Sequence, residues 1–93
     1  MVDVVDVTVL NGFRVRLRFD DGAEHEVDLR RFLNGPVFEP LVLDRTLFES
    51  VRVDPELGTI VWPNGADIDP DVLYEAGVAA ETGTPGAGGS AVP

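Results

Sequence analysis

Few side chains in this 93-residue sequence are of a type and spacing that could do chemistry. His25 is the sole imidazole and there is no cysteine, which excludes a His pair, a thiolate metal site and a thiol nucleophile. Glu26 and Asp28 lie close to His25 in sequence, but side chains alternate between faces along a strand, so neither shares its face. Asp67, Asp69 and Asp71 have the spacing that opens a calcium-binding loop. The match stops there, because such a loop needs Gly at its sixth position and Glu at its twelfth, where this chain has Val72 and Val78. Asp69, directly before Pro70, is better suited to capping a helix. Ser50, Thr8, Thr46 and Thr59 have no histidine in a motif that would activate a hydroxyl. The sequence therefore predicts no enzyme, no catalytic residue, no metal and no cofactor.

Two patterns suit recognition better than catalysis. Arg14, Arg16 and Arg18 alternate with apolar residues and resemble a phosphate-tracking stripe, but acids expected on the neighbouring strand make a solvated salt-bridge ladder the better reading. The segment Trp62-Pro63-Asn64-Gly65-Ala66-Asp67 has a structural reading: Trp62 packs under the last helix, Pro63 ends a strand and Asn64-Gly65 supplies positive φ. Its functional reading is a recognition surface of Trp62, Asn64, Asp67, Asp69 and Tyr74, since Trp in a rigid loop is a common binding anchor.

The elements that must hold these residues follow from periodicity. Phe13, Val15, Leu17 and Phe19 alternate with the three arginines, as a half-buried strand requires. Val5, Val7 and Val9 precede this strand, and Ala23, His25 and Val27 follow it. A three-residue loop Asp20-Asp21-Gly22 opposes Phe19 to Ala23, Leu17 to His25 and Val15 to Val27, and sets Arg18, Arg16 and Arg14 against Glu24, Glu26 and Asp28. A similar loop at Leu10-Asn11-Gly12 predicts Val9 opposite Phe13, Val7 opposite Val15 and Val5 opposite Leu17, with Asp6 facing Arg16. Asp28 and Asp44 are placed to cap two short helical turns, carrying Leu29, Phe32 and Leu33 on one and Leu47 and Phe48 on the other. Residues Val37 to Leu41 read as an apolar connector between them. Val51 to Asp54 and Thr59 to Trp62 flank a Pro-Glu-Leu-Gly turn, and a last helix starts at Pro70 and ends near Gly77. The predicted class is α+β: a small two-layer domain, βββ-α-α-ββ-α, with mostly antiparallel sheet and short helices packed on one face. Residues 1–76 form this single domain, and the Gly/Ala/Pro-rich residues 77–93 read as a disordered tail.

The runs Gly35-Pro36-Val37-Phe38-Glu39-Pro40-Leu41 and Val51-Arg52-Val53-Asp54, and above all Gly58 to Ile68 with Asp69 to Glu75, resemble a known bacterial family, domain of unknown function 2442. The resemblance covers about residues 2–76. It implies a small α+β protein with no established catalytic residues, often encoded beside another small protein in an arrangement like a toxin–antitoxin pair. Some relatives carry a C-terminal helix-turn-helix domain; the Gly/Ala-rich end of this chain cannot form one.

Length and charge narrow the function further. A chain this short buries a thin core, with about 3–5 kcal/mol of net stability. The formal net charge is -10, and all seven basic residues are Arg. That field repels nucleic-acid phosphates and anionic lipid, and suits a small, basic protein partner. With no apolar run of membrane-spanning length and an acid at Asp3 where a signal peptide carries positive charge, the expected location is cytoplasmic. The expected role is a non-catalytic protein-interaction module, an antitoxin-like acidic partner, with self-association through sheet edges as a further expectation. The alternatives are an accessory subunit of an enzyme or a nucleic-acid-linked regulator.

Overall fold

The structure, a computed structural model, describes residues 2–82. Three strands, β1 (Val4–Val9), β2 (Arg14–Phe19) and β3 (Glu24–Asp28), form an antiparallel sheet in the order β1-β2-β3. A separate antiparallel ribbon joins β4 (Arg52–Asp54) to β5 (Thr59–Val61). Between the sheets lie a single 3-10 turn (Leu29–Phe32) and two five-residue helices, α1 (Glu39–Leu43) and α2 (Arg45–Glu49). The last helix, α3, spans Pro70–Thr82 and packs on β3. This is an α+β domain.

The β2–β3 register is the one that sequence alternation predicts, from Arg14 opposite Asp28 to Arg18 opposite Glu24. Val15, Leu17, Phe19, His25 and Val27 are buried on one face, and the arginines and acids are exposed on the other. Asp28 caps the 3-10 turn by accepting from the Arg30 N–H at 3.0 Å, and Asp44 caps α2 by accepting from the Leu47 N–H at 3.2 Å. Leu29, Leu33, Leu41 and Phe48 are delivered into the same core as Ile60, Trp62, Ile68 and Leu73.

Three expectations are corrected. The β1–β2 register is shifted: Val9 faces Val15, Val7 faces Leu17, and Asp6 faces Arg18. The loop is Asn11-Gly12-Phe13, closed by the Leu10 N–H on the Arg14 carbonyl at 2.8 Å, with Gly12 at φ 60°. An irregularity between Val4 and Asp6 then reverses the alternation, burying Val4 and leaving Val5 45% exposed. The apolar connector contains a helix, α1, with Pro40 in its first turn, where a missing N–H costs no intrahelical bond. Finally, α3 runs past Gly77 to Thr82, so residues 77–82 are helical; the reading of a disordered tail concerns, from residue 83 on, residues outside those described.

Candidate interaction surface

Trp62 does not belong to a surface. It is 2% exposed, its indole Nε1–H donates to the Phe48 carbonyl at 3.0 Å, and its ring lies 6.1 Å from that of Phe48. The contacts that anchor it run to α2, where the sequence reading set it under the last helix. An indole with its N–H satisfied by a buried carbonyl is a core anchor. The turn that follows is closed by the Trp62 N–H on the Ala66 carbonyl at 2.9 Å and the Gly65 N–H on the Trp62 carbonyl at 3.0 Å.

The other four candidates separate into two groups. Asn64 is exposed, and both ends of its amide make internal bonds: its nitrogen donates to the Val37 carbonyl at 2.9 Å, and its side-chain oxygen accepts from the Ala66 N–H at 3.2 Å. It fastens the loop to the segment entering α1. Asp67 forms an isolated antiparallel bridge with Val61, and Asp69 accepts from the Asp71 N–H at 2.8 Å at the start of α3. Tyr74 stands elsewhere, half-buried over the β2–β3 turn. Its ring meets Phe19 edge-on at 4.9 Å and His25 at 5.4 Å, and its hydroxyl donates to Asp21 Oδ2 at 2.7 Å. The Ala23 N–H and then that hydroxyl hold the Asp21 carboxyl below its ordinary pKa. Among the described residues, no cluster of three or more His, Cys, Asp or Glu could hold a metal ion.

The exposed face and edges of the three-stranded sheet are more informative. Arg14 and Arg16 converge on Glu26, the first on Oε1 and the second on Oε2 at 2.9 Å. Arg14 thus leans away from its opposite residue Asp28, whose carboxylate is engaged at the cap. The hydrogen bond from Arg16, with both guanidinium charges nearby, lowers the pKa of Glu26. Arg18 and Glu24 face one another in the ladder without closing an ion pair.

The two edges differ. Antiparallel pairing turns alternate backbone groups outward. Because the Phe19 N–H bonds the Ala23 carbonyl and the Leu29 N–H bonds the Phe13 carbonyl, both at 2.9 Å, the odd residues of β3 face β2. The backbone groups of Glu24, Glu26 and Asp28 therefore face outward. On β1 the outward residues are Val4, Val7 and Val9. There the Val4 N–H bonds the Gly58 carbonyl at 2.9 Å, in the turn of the β4–β5 ribbon, and the Val7 N–H is taken by the carboxylate of Asp6 at 3.0 Å. The β1 edge is thus covered at one end and blocked in its middle. Among the described residues, nothing comparable closes the β3 edge.

The match to a family model decides the family, covering residues 4–79. The chain belongs to DUF2442, a family described as proteins of unknown function. No curated protein and no solved structure matches this chain. The match extends through the buried Gly77 of α3, so the helix that covers β3 belongs to this DUF2442 domain. Also among the described residues, no helix is long and apolar enough to cross a membrane.

Sequence reasoning missed Arg45. From α2 its guanidinium reaches back to the β1–β2 turn, donating to the Gly12 carbonyl and, at 3.0 Å, to the Leu10 carbonyl, while Nε pairs with Glu49 at 2.9 Å. The i,i+4 spacing of Arg45 and Glu49 was visible in sequence; the reach across more than thirty residues was not.

Proposed function

We propose that this DUF2442 chain is a non-catalytic protein-interaction module of the cytoplasm, an antitoxin-like acidic partner of a small basic protein. The observation that carries this reading is the asymmetry of the sheet. One edge is closed by Gly58 and Asp6, and the other leaves the backbone of three consecutive outward residues, all acidic, without a neighbour among the described residues. An unpaired edge is a ready template for another chain. A net charge of -10 supports a basic partner by steering its approach.

The loop of Trp62, Asn64 and Asp67 contributes rigidity instead of contact energy, because its anchor is buried and its amide is spent on internal bonds. Affinity capture of the tagged protein from its native cells tests the proposal. The expected result is a stoichiometric small protein that remains bound at low salt and is released as salt rises. Recovery of the chain alone, or a partner held more tightly at high salt, counts against it.

A further inference from the structure

From the β3 edge we infer the partner's recognition element: an extended segment with Arg or Lys at every second position, adding to the sheet beside β3 as a fourth strand. This rests on the interaction-module reading and goes beyond it by naming the site and the chemistry of its occupant.

Three observations carry it. First, any strand that uses the outward backbone groups of β3 pairs with Glu24, Glu26 and Asp28, whose side chains all lie on the exposed face. Residues that pair across strands share a face, so the occupant's side chains there stand opposite three acids, of which Glu26 already holds Arg14 and Arg16 and Asp28 serves as a cap. Second, β3 already accepts such a strand on its other side. The alternate residues of β2 in this ladder are Arg14, Arg16 and Arg18, and two of them converge on Glu26. Glu24 closes no ion pair among the described residues and is available to a base from outside. Third, the same geometry argues against a second copy of β3. Every antiparallel register of β3 against itself through these groups sets even-numbered residues against even-numbered residues, and all of them are acidic. Like charges directly opposite destabilise a pair. Antiparallel self-association through this edge, expected from an open sheet, is therefore disfavoured, and the other edge is partly closed by Gly58 and Asp6.

The test uses the full chain and three labelled peptides: Lys-Val-Lys-Val-Lys-Val, its acidic counterpart with Glu for each Lys, and Lys-Lys-Lys-Val-Val-Val. The last has the same composition and charge as the first but cannot present bases with period two. The expected result is saturable binding of the alternating basic peptide, about tenfold or more tighter than the block peptide and undetectable for the acidic one. Amide-exchange protection should appear at Glu24, Glu26 and Asp28.

Glu24→Pro removes one outward N–H without touching a β2–β3 bond, and Glu24→Arg reverses a charge that has no internal partner. Each should weaken the alternating peptide by about tenfold or more. The arginine variant keeps the test decisive if the proline variant fails to fold. Equal binding of alternating and block peptides, protection elsewhere, or binding that survives Glu24→Arg overturns the inference. A native partner captured equally by wild type and Glu24→Arg also overturns the edge assignment while leaving the interaction module standing. Capture of no partner by wild type defeats the module, and the peptide measurements still decide whether the edge takes a basic strand.

Discussion

Asp21 and Tyr74 illustrate how an exposed pair can be tested residue by residue. The folded carboxyl of Asp21 titrates below its ordinary value of 3.8, first because it accepts from the Ala23 N–H and second because it accepts from the Tyr74 hydroxyl. A depressed folded pKa stabilises the protein above the unfolded value, and that contribution is lost as pH falls through the folded one. Tyr74→Phe should therefore raise the Asp21 pKa toward 3.8 and reduce the loss of stability on acidification below that value, read by carboxyl chemical shifts and melts across the acid range. Trp62 supplies a second test. Trp62→Ala should cost about 3–5 kcal/mol and leave little folded protein. Trp62→Phe keeps most of the apolar volume and removes one hydrogen bond to the Phe48 carbonyl, which still accepts from the Val51 N–H at 3.3 Å, costing about 0.5–1.5 kcal/mol in chemical denaturation. An unchanged melting curve for Trp62→Ala would return that side chain to the surface.

At the scale of the element, Gly77 sets how closely α3 can approach β3. It is buried inside the helix, and a Cβ there would overlap the Cγ of His25 and also its Cβ, an atom that no side-chain rotation moves out of the way. Gly→Ala within a helix ordinarily gains about 1 kcal/mol from propensity. Here overpacking should reverse the sign, with Gly77→Ala costing about 1–3 kcal/mol and lowering Tm. The bulge in β1 predicts the opposite tolerance. Val5→Thr should change stability by no more than about 0.5 kcal/mol because the side chain is exposed, although Val5 shares the parity of Val7 and Val9. That parity explains what was legible in sequence. Strict alternation across Arg14 to Val27 determined one register, since any slip buries charge. In β1 a bulge separates Val4 from Asp6, and no alternation rule announces an inserted residue. Helix α1 was hidden because five residues with a proline and only one buried side chain, Leu41, make no readable period. The surface was read least well: Trp62 looks the same in sequence whether it anchors a core or a binding loop, and the open β3 edge is visible only once strand order is known.

For the whole molecule, charge governs encounter and strand pairing governs residence. The association rate with the captured partner should fall as ionic strength rises, while dissociation changes little, measured by stopped-flow or surface-based kinetics. The order of the strands has a kinetic meaning as well. Every strand pair joins neighbours in the chain across a short turn, β1 to β2, β2 to β3 and β4 to β5. Each loop is cheap to close, and the sequence separation of its contacts is small. The long-range ties then join these units: Arg45 to the first turn, β1 to the β4–β5 ribbon through Val4 and Gly58, Asn64 to Val37, and α3 onto β3. A chain built this way zips its hairpins locally and condenses them late, so refolding should be complete within milliseconds to tens of milliseconds, with Trp62 fluorescence as the reporter. Arg45→Ala, which cuts a late tie, should mainly accelerate unfolding and leave the folding arm of the chevron nearly in place.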